Sequence, residues 1–314
     1  MSSGRLAGPE ARSEHEGICY SGYREGQSPL TNTYPSADEV SQDLGLLAPH
    51  WRYLRLYDAG PHAERVLEVI RREGFDFQVL LGAAIGAEVS NPGCPWGGVY
   101  PASVLAANRQ RNREEIDRLV TLARQYPEEV FAVSIGNEAS VDWTDHLVPV
   151  DRLVEYARTV REAVPQPVTF CENYVPWTTK LAPLAAELDV LSVHTYPVWE
   201  YQPIDQAIAY TEQNVQSVID RYPDTPVIVT EAGWTTRANG RGIDPANASP
   251  ALQAAYVEDL LAWSRERQLL TFVFEAFDEP WKGSPDPSEP EKHWGLFTVD
   301  RQPKPAAKRL FAQS

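Results

Sequence analysis

Eight short runs rich in β-branched and aromatic residues alternate with stretches of helical periodicity along the chain. This alternation is typical of βα units around a parallel sheet, and eight units close a (β/α)8 barrel. The 314 residues suit one such barrel with insertions. We therefore predict an α/β fold, a single (β/α)8 TIM barrel over residues 17–314, after a polar N-terminal tail over residues 1–16. The predicted strands are residues 17–20, 53–57, 78–82, 131–136, 168–171, 190–194, 227–230 and 271–274.

Capping signals mark the ends of several predicted helices. Ser36 and Glu39 have the spacing of a capping box, in which each side chain bonds the other residue's backbone N–H. Gly74 is a typical C-terminal stop, and Pro250, after a serine, fits the first position of a helix. The apolar pattern over residues 102–126 predicts one long helix on the outer wall.

Two long segments, residues 86–101 and 283–292, follow the third and eighth predicted strands and are rich in Pro. Loops after the strands form the C-terminal face of a barrel, where active sites are built, so both segments should rim a pocket. We call residues 86–101 the flap. Its aromatic residues, Trp96 and Tyr100, predict either a shaped wall of that pocket or simple packing against the outer barrel.

The charge balance bears on the partner. With 44 acidic and 28 basic residues the formal net charge is −16, whereas nucleic acids and anionic membranes select clusters of Lys and Arg. We expect no nucleic-acid or membrane partner, a neutral polymer as substrate, and a monomer. The N-terminus has no apolar segment of the signal-peptide type, so the chain as written predicts a soluble, cytoplasmic protein, or a secreted or periplasmic one if a signal was removed.

Three cysteines, Cys19, Cys94 and Cys171, lie far apart and form no Cys-x-x-Cys pair. We predict free thiols, with Cys19 and Cys171 buried inside apolar runs. His194 ends the sixth predicted strand, and no second His or Cys stands at ligand spacing, which favours a hydrogen-bonded pocket wall over a metal ligand. We therefore predict neither a metal nor a cofactor.

Two glutamates follow buried strands. Asn137 and Glu138 come directly after the fourth predicted strand, and Glu231 follows the seventh. A glutamate at one strand end is as often a structural ion pair as a catalyst. Two such residues at the open end of one barrel favour catalysis, because retaining glycoside cleavage needs one carboxylate as nucleophile and another as acid/base.

Longer motifs surround these glutamates. Strand two reads Arg-Leu-Tyr-Asp over residues 55–58, strand six ends His-Thr-Tyr-Pro over 194–197, and strand seven reads Thr-Glu-Ala-Gly-Trp over 230–234. The most specific string is Phe-Glu-Ala-Phe-Asp-Glu-Pro-Trp-Lys over 274–282, followed by Glu-Lys-His-Trp-Gly-Leu-Phe over 291–297. From residue 17 to residue 299 the chain resembles glycoside hydrolase family 17, the β-1,3-glucanase and β-1,3-glucanosyltransferase family.

The resemblance implies that Glu138 is the acid/base and Glu231 the nucleophile, with Asn137 near the sugar 2-hydroxyl and Tyr196 against the nucleophile. It also implies that Glu279, Lys282 and Glu291 form a charged cluster after strand eight. The remaining residues that the resemblance implies for substrate binding are Tyr20, Arg55, Asp58, His194, Trp234, Glu279, Trp281, Lys282 and Glu291.

Several of these residues have a simpler interpretation. Lys282 could form an ordinary surface ion pair, and Glu275 could be a buried acid of local use. Nine tryptophans cannot all bind sugar, so we expect core packing for Trp51 and Trp263. The loop tryptophans are better sugar platforms; they are Trp96, Trp199 and Trp281.

The functional expectation is a retaining β-1,3-glucan hydrolase. Two rival functions stay open, namely a retaining barrel hydrolase of another β-glucan or mannan, and a glucan-binding protein without turnover, which would require a lost carboxylate. Hydrolysis and transglycosylation share the covalent intermediate and differ in whether water or sugar reaches it. If the flap closes one end of the glucan cleft, it favours short products released near a chain end.

Overall fold

The computed structural model of the protein describes residues 14–312 as one closed barrel of parallel strands in the order β1-β2-β3-β4-β5-β6-β7-β8. Strand β1 pairs with both β2 and β8, which closes the sheet. The predicted barrel is confirmed. The strands are β1 Glu16–Cys19, β2 Tyr53–Leu56, β3 Gln78–Leu81, β4 Val130–Asn137, β5 Val168–Asn173, β6 Leu191–Thr195, β7 Val227–Gly233 and β8 Thr271–Phe274.

Helices surround the strands in the predicted alternation. They are α1 Ala37–Leu47, α2 Pro61–Glu73, α3 Ala102–Gln125, α4 Val150–Ala163, α5 Tyr174–Thr179, α6 Ala182–Ala185, α7 Ile204–Arg221, α8 Pro250–Arg267 and α9 Pro305–Phe311. Short 3-10 helices lie at Pro29–Thr31, Pro245–Asn247 and Pro290–Lys292. Within residues 14–312, no helix is both long and apolar enough to cross a lipid bilayer.

The predicted capping signals are present. Ser36 and Glu39 form a capping box at the start of α1. Gly74 ends α2 with a left-handed φ of 70°, which glycine adopts without steric cost. Helix α8 begins at Pro250, and the N-cap serine accepts a hydrogen bond from Leu252 N. Local backbone chemistry therefore fixes where these helices begin and end.

The core fills the barrel and the layer between strands and helices. Trp51 and Trp263 are buried, as predicted. The three cysteines are free thiols, and all three are buried, including Cys94 in the flap. Residues 1–13 of the predicted tail lie outside the described residues, and β1 begins at Glu16, one residue before the predicted domain start.

Two strands extend at least two residues beyond their predicted C-terminal ends. Strand β5 continues to Asn173 and β7 to Gly233, so that polar residues beyond each apolar run still belong to the sheet. This extension places Glu231 inside β7 rather than in a following loop. The backbone hydrogen bonds of the sheet hold a residue within a strand, and its position in the strand determines the face to which its side chain points.

Candidate active site

Glu138 and Glu231 lie next to each other at the C-terminal face of the barrel. Glu138 directly follows β4 with a positive φ of 44°, and its backbone N donates to Cys171 O at 2.9 Å. Glu231 is buried in β7, whereas Glu138 is partly exposed. One carboxylate oxygen of each residue lies within 4.8 Å of the other. Carboxyl groups of retaining glycosidases are separated by about 5–5.5 Å, and those of inverting enzymes by about 6.5–9.5 Å.

Three side chains donate hydrogen bonds to the Glu231 carboxylate. Arg55 Nη1 and the Tyr57 hydroxyl reach Oε1 at 2.5 and 3.1 Å, and the Tyr196 hydroxyl reaches Oε2 at 2.5 Å. Burial would raise the pKa of Glu231, but the charges of His194 and Arg55 and the Tyr196 hydroxyl hold it well below its usual range. Glu231 is therefore an ionised carboxylate at neutral pH.

His194 lies between the two glutamates. Its Nδ1 is 2.7 Å from Oε1 of Glu138 and 3.4 Å from Oε2 of Glu231. Burial would lower the pKa of His194, but Glu231, Cys171 and Glu138 raise it to about 10. At neutral pH the ring is an imidazolium that orients both carboxylates.

Among residues 14–312, the side chains of Glu138, His194 and Glu231 lie close enough together to hold a metal ion. A histidine must be neutral to bind a metal, because the ring nitrogen supplies its lone pair. The raised pKa of His194 opposes that state. The absence of a metal remains a prediction.

Asn137 is fixed from two sides. Its Oδ1 accepts a hydrogen bond from Arg55 Nη2, and its backbone oxygen is 2.9 Å from His146 Nε2. His146 Nδ1 lies 2.8 Å from Asp145 Oδ1. Arg55 thus connects the amide of Asn137 to the carboxylate of Glu231, and it is itself almost fully buried, so it braces these groups rather than lining an open pocket.

Glu172 is a residue that the sequence analysis missed. It is fully buried in β5, where Oε2 accepts from Ser140 N at 3.0 Å and Ser140 Oγ at 2.6 Å, and Oε1 accepts from Asn173 N at 2.7 Å. Burial and the charge of Glu138 raise the pKa of Glu172 to about 7. The available signal was an acid directly after the apolar run of strand five, the same pattern that drew attention to Glu138.

Beyond β8, two of the three predicted cluster members, Glu279 and Lys282, pair with each other, and Glu275 joins them. Lys282 Nζ is 2.9 Å from Glu275 Oε2 and also pairs with Glu279. The surface ion pair considered for Lys282 is wrong, because both of its partners are buried. Burial and the Glu279 charge raise the pKa of Glu275 well above its usual range. The Phe274–Glu275 peptide bond is cis.

Glu291 and Trp281 flank this cluster. Burial raises the pKa of Glu291 to about 7, and the Lys282 charge opposes that shift. Trp281 is half-buried and its Nε1 donates to Glu279 Oε1 at 3.2 Å. Both residues therefore lie at the edge of the charged cluster, and their substrate contacts remain predictions.

Two aromatic residues predicted to offer sugar-binding surfaces do not do so. Tyr20 is fully buried, and its hydroxyl donates to Asp43 of α1 at 3.2 Å. Trp234 is fully buried and packs at 5.3 Å between ring centroids on Tyr256 of α8. Successive side chains of a strand point to opposite faces, and both residues fall on the face turned toward the helices.

Asp58 is partly buried and makes a local contact at the end of β2. It stands three positions after Arg55, whose side chain points into the barrel, so the alternation turns Asp58 outward. Its Oδ1 accepts from Gly60 N at 2.7 Å and shapes the turn before α2. The predicted substrate contact of Asp58 remains a prediction.

The tryptophans assigned to loops differ in exposure. Trp96 in the flap is 67% exposed, which rules out packing of this ring against the outer barrel. Trp199 is half-buried against Trp294, with ring centroids 6.2 Å apart. Of the two, the ring of Trp96 offers the larger open face.

The flap is tied to the loop between β4 and α4. Asn91 Nδ2 donates to the backbone oxygens of Asp142 and Thr144 at 2.9 and 2.8 Å. The backbone N of Glu88 donates to Leu147 O at 3.0 Å. The flap therefore stands beside the chain segment that begins with Glu138. Its effect on product length remains a prediction.

Comparisons with known families agree with this geometry. A family model described as the BtgE/BtgC glycoside hydrolase domain matches residues 17–295. The probable glucan endo-1,3-beta-glucosidase btgC of Aspergillus clavatus is 26% identical over 307 residues, covering 90% of this chain and 41% of the relative. The chain thus spans less than half the length of that relative. A glucan 1,3-beta-glucosidase of Schizosaccharomyces pombe is 25% identical over 84% of this chain and 78% of its own length.

Solved structures share the fold over nearly the whole chain. An endo-laminarinase from Formosa has a TM-score of 0.82 at 25% identity, covering 96% of this chain and 88% of that one. A glycoside hydrolase family 17 β-1,3-glucanosyltransferase from Rhizomucor miehei has a TM-score of 0.72 at 23% identity, covering 92% and 95%.

Proposed function

This chain belongs to the BtgE/BtgC glycoside hydrolase domain family within glycoside hydrolase family 17, and from that premise we propose that it cleaves β-1,3-glucan with net retention. The observation that carries the proposal is the pair of carboxylates held in contrasting surroundings. Glu231 is ionised, buried and bound by three donors. Within residues 14–312, Oε2 of the more exposed Glu138 accepts no hydrogen bond and is available to carry a proton.

In the first step Glu231 attacks the anomeric carbon of the sugar. The bond from that carbon to the glycosidic oxygen breaks, and this oxygen takes the proton of Glu138. The leaving sugar departs with a new hydroxyl group. The glycosyl unit stays bound to Glu231 as an ester. Tyr196 and Tyr57 hold the carboxylate in position for attack.

In the second step Glu138, now a carboxylate, takes a proton from water. The water oxygen attacks the anomeric carbon, the ester bond breaks, and Glu231 returns to its ionised form. The short distance between the carboxylates supports this two-step path, since no water has to stand between nucleophile and sugar at the start. His194, as an imidazolium, favours the ionised form of Glu231.

The substrate class rests on the relatives. The A. clavatus relative is named as acting on 1,3-β-glucan, and the Formosa enzyme is named as a laminarinase. A direct comparison of laminarin with cellulose and mannan tests this part of the proposal. Cleavage of cellulose or mannan without cleavage of laminarin would favour the rival barrel hydrolases.

Azide rescue tests the roles of the two glutamates. Glu231→Ala should lose turnover, and azide filling the vacated side should restore part of it on an activated aryl β-glycoside and yield an α-glycosyl azide. In Glu138→Ala, azide should attack the glycosyl-enzyme and yield the β-glycosyl azide. Products of reversed configuration would exchange the two roles. Turnover that survives both substitutions without azide would refute the proposed mechanism.

A further inference from the structure

The peptide unit between Asn137 and Glu138 is held by hydrogen bonds at both of its polar atoms. Its N–H, on Glu138, donates to Cys171 O of β5 at 2.9 Å. Its carbonyl oxygen, on Asn137, lies 2.9 Å from Nε2 of His146. His146 belongs to the loop after β4, and nothing in the proposed mechanism so far uses it. The orientation of this peptide is therefore set partly by strand pairing and partly by a side chain from outside the sheet.

The orientation of the peptide matters because it fixes the backbone of Glu138. Glu138 has a φ of 44°, in the left-handed region, where the Cβ of any residue other than glycine crowds the backbone. Such a conformation persists where the surrounding structure holds it. The angle φ describes rotation about the N–Cα bond of Glu138, so it is measured against the same peptide that His146 contacts. Loss of that contact would let the peptide rotate and would displace the Glu138 carboxyl group.

Asp145 and Thr144 hold the imidazole of His146 in place. Nδ1 of the ring lies 2.8 Å from Asp145 Oδ1 and 3.0 Å from Thr144 Oγ1. Burial would lower the pKa of His146, but Asp145 and the Asn137 carbonyl raise it. The hydrogen bond from His146 holds the pKa of Asp145 below its usual range. Both shifts favour an imidazolium beside a carboxylate, and in that state Nε2 carries a proton and donates to Asn137 O.

The loop that carries this pair returns to the end of β4 and is braced there. Val148 N donates to Ala139 O at 2.8 Å, which closes residues 139–148 into a compact loop. Asn91 of the flap donates to Thr144 O at 2.8 Å, and Thr144 is buried. The imidazole is thus presented from a supported segment. A donor held by its own neighbours restrains the group that it contacts.

We propose that His146, oriented by Asp145, is a positioning residue that holds Glu138 in its left-handed conformation through the carbonyl oxygen of Asn137. The inference rests on the proposed function, in which Glu138 protonates the leaving oxygen and later takes a proton from water. Loss of the His146 contact should therefore impair proton transfer by Glu138. Attack by Glu231 should be nearly unchanged, because other side chains hold that carboxylate.

Two leaving groups separate proton transfer from nucleophilic attack. A dinitrophenolate leaves without protonation, whereas a phenolate needs help from the acid. The test compares kcat/KM on dinitrophenyl and phenyl β-laminaribiosides, and the ratio of the two values within one preparation does not depend on the fraction of folded enzyme. Glu138→Ala sets the scale of the effect. His50→Leu is the matched control, since it removes an imidazole that stacks on Phe311 near the start of β2, at the opposite end of the barrel.

For His146→Leu we expect kcat/KM on the phenyl substrate to fall on the order of 10²-fold, and that on the dinitrophenyl substrate to stay within about twofold of the wild type. Hydrolysis of the glycosyl-enzyme needs Glu138 as base, so kcat on the dinitrophenyl substrate should also fall. Azide attacks without giving up a proton and should restore this kcat, with the β-glycosyl azide as product. His146→Gln keeps an N–H donor and should recover most of both losses. Asp145→Asn should show the same pattern with smaller losses, and His50→Leu should match the wild type.

Equal losses of His146→Leu on the two aryl substrates would indicate a general defect of the site and would overturn the inference. Full activity of His146→Leu on both substrates would overturn it as well. A loss in His146→Gln as large as that in His146→Leu would show that the N–H donor does not position the acid/base. The proposed function itself fails, and this inference with it, if the wild type cleaves no β-laminaribioside or if Glu138→Ala shows no difference between the two leaving groups.

Discussion

Removing the Tyr196 hydroxyl should raise the pKa of Glu231 by about one to two units. In Tyr196→Phe the ring stays packed between Phe274 and Trp294, with centroids 5.6 and 5.1 Å away, so the change is confined to one hydrogen bond. That bond, 2.5 Å long, joins a hydroxyl to an ionised carboxylate. Hydrogen bonds to charged groups contribute about 1.5–3 kcal/mol, and about 1.4 kcal/mol corresponds to one pKa unit.

The sign follows from which form the hydroxyl stabilises. Tyr196 donates to the charged form, so without it the carboxylate takes up a proton at higher pH, and the acidic limb of the kcat/KM profile should move upward. Tyr196→Phe should also reduce the contribution of Glu231 to the free energy of unfolding. The lowered pKa of Glu231 stabilises the fold above the pKa of the unfolded chain, and this contribution is lost as pH falls through the folded value.

The assay is kcat/KM for an aryl β-laminaribioside from about pH 3 upward, with circular dichroism at each pH to verify that the enzyme is folded. Tyr57→Phe is the matched control, since it also removes one hydroxyl from Glu231, but at 3.1 Å and from an oxygen that Arg55 still holds. Its limb should move by less than about one unit. An acidic limb that stays in place or moves downward in Tyr196→Phe would refute the assigned role of this hydrogen bond.

Three further outcomes are expected. The pKa of Glu172 is raised to about 7, so its protonated form stabilises the fold. This contribution is complete below the ordinary pKa of a glutamate and is lost as pH rises through about 7. The free energy of unfolding of the wild type relative to Glu172→Gln should therefore fall by up to about 3 kcal/mol between about pH 4.5 and pH 8 in urea titrations. Lys282→Met should cost about 3–5 kcal/mol in the same assay, because it leaves the buried side chains of Glu275 and Glu279 without their cation, and adding Glu→Gln changes at 275 and 279 should recover most of that loss. Replacing residues 91–100 by a tight turn should shift laminarin products toward longer oligomers while aryl glycoside cleavage persists, and an unchanged product ladder would remove the flap from product selection.

The sequence was sufficient for the barrel and for its two central glutamates. Short apolar runs, each followed by helical periodicity, leave few alternatives to a closed parallel sheet. Glu138 and Glu231 could be found because each follows such a run directly, and in a barrel all strand ends meet at one face. The residues that bond these glutamates were harder to predict. Tyr57 belongs to the motif over residues 55–58, but nothing in the local sequence indicates that its hydroxyl reaches Glu231.

Two of the errors have the same physical origin. Tyr20 and Trp234 follow strands and are aromatic, which matched the expectation for sugar platforms, but side-chain direction alternates along a strand and continues one or two residues past its end. Counting from Glu231 within β7 would have turned Trp234 outward. Glu172 carried the same local signal as Glu138 and was passed over, whereas its contact with Ser140, 32 residues away in the chain, depends on tertiary packing.

The attachment of Asn91 to Asp142 and Thr144 restricts how this protein can be recombined with its relatives. A flap exchanged alone would leave two backbone carbonyls without their donor, next to the strand that carries Glu138. A chimera that moves residues 86–101 together with the loop after β4 keeps those bonds within the transplanted piece. The two loops at this rim should therefore be exchanged together, and the crossover points of hybrid enzymes should lie outside both of them.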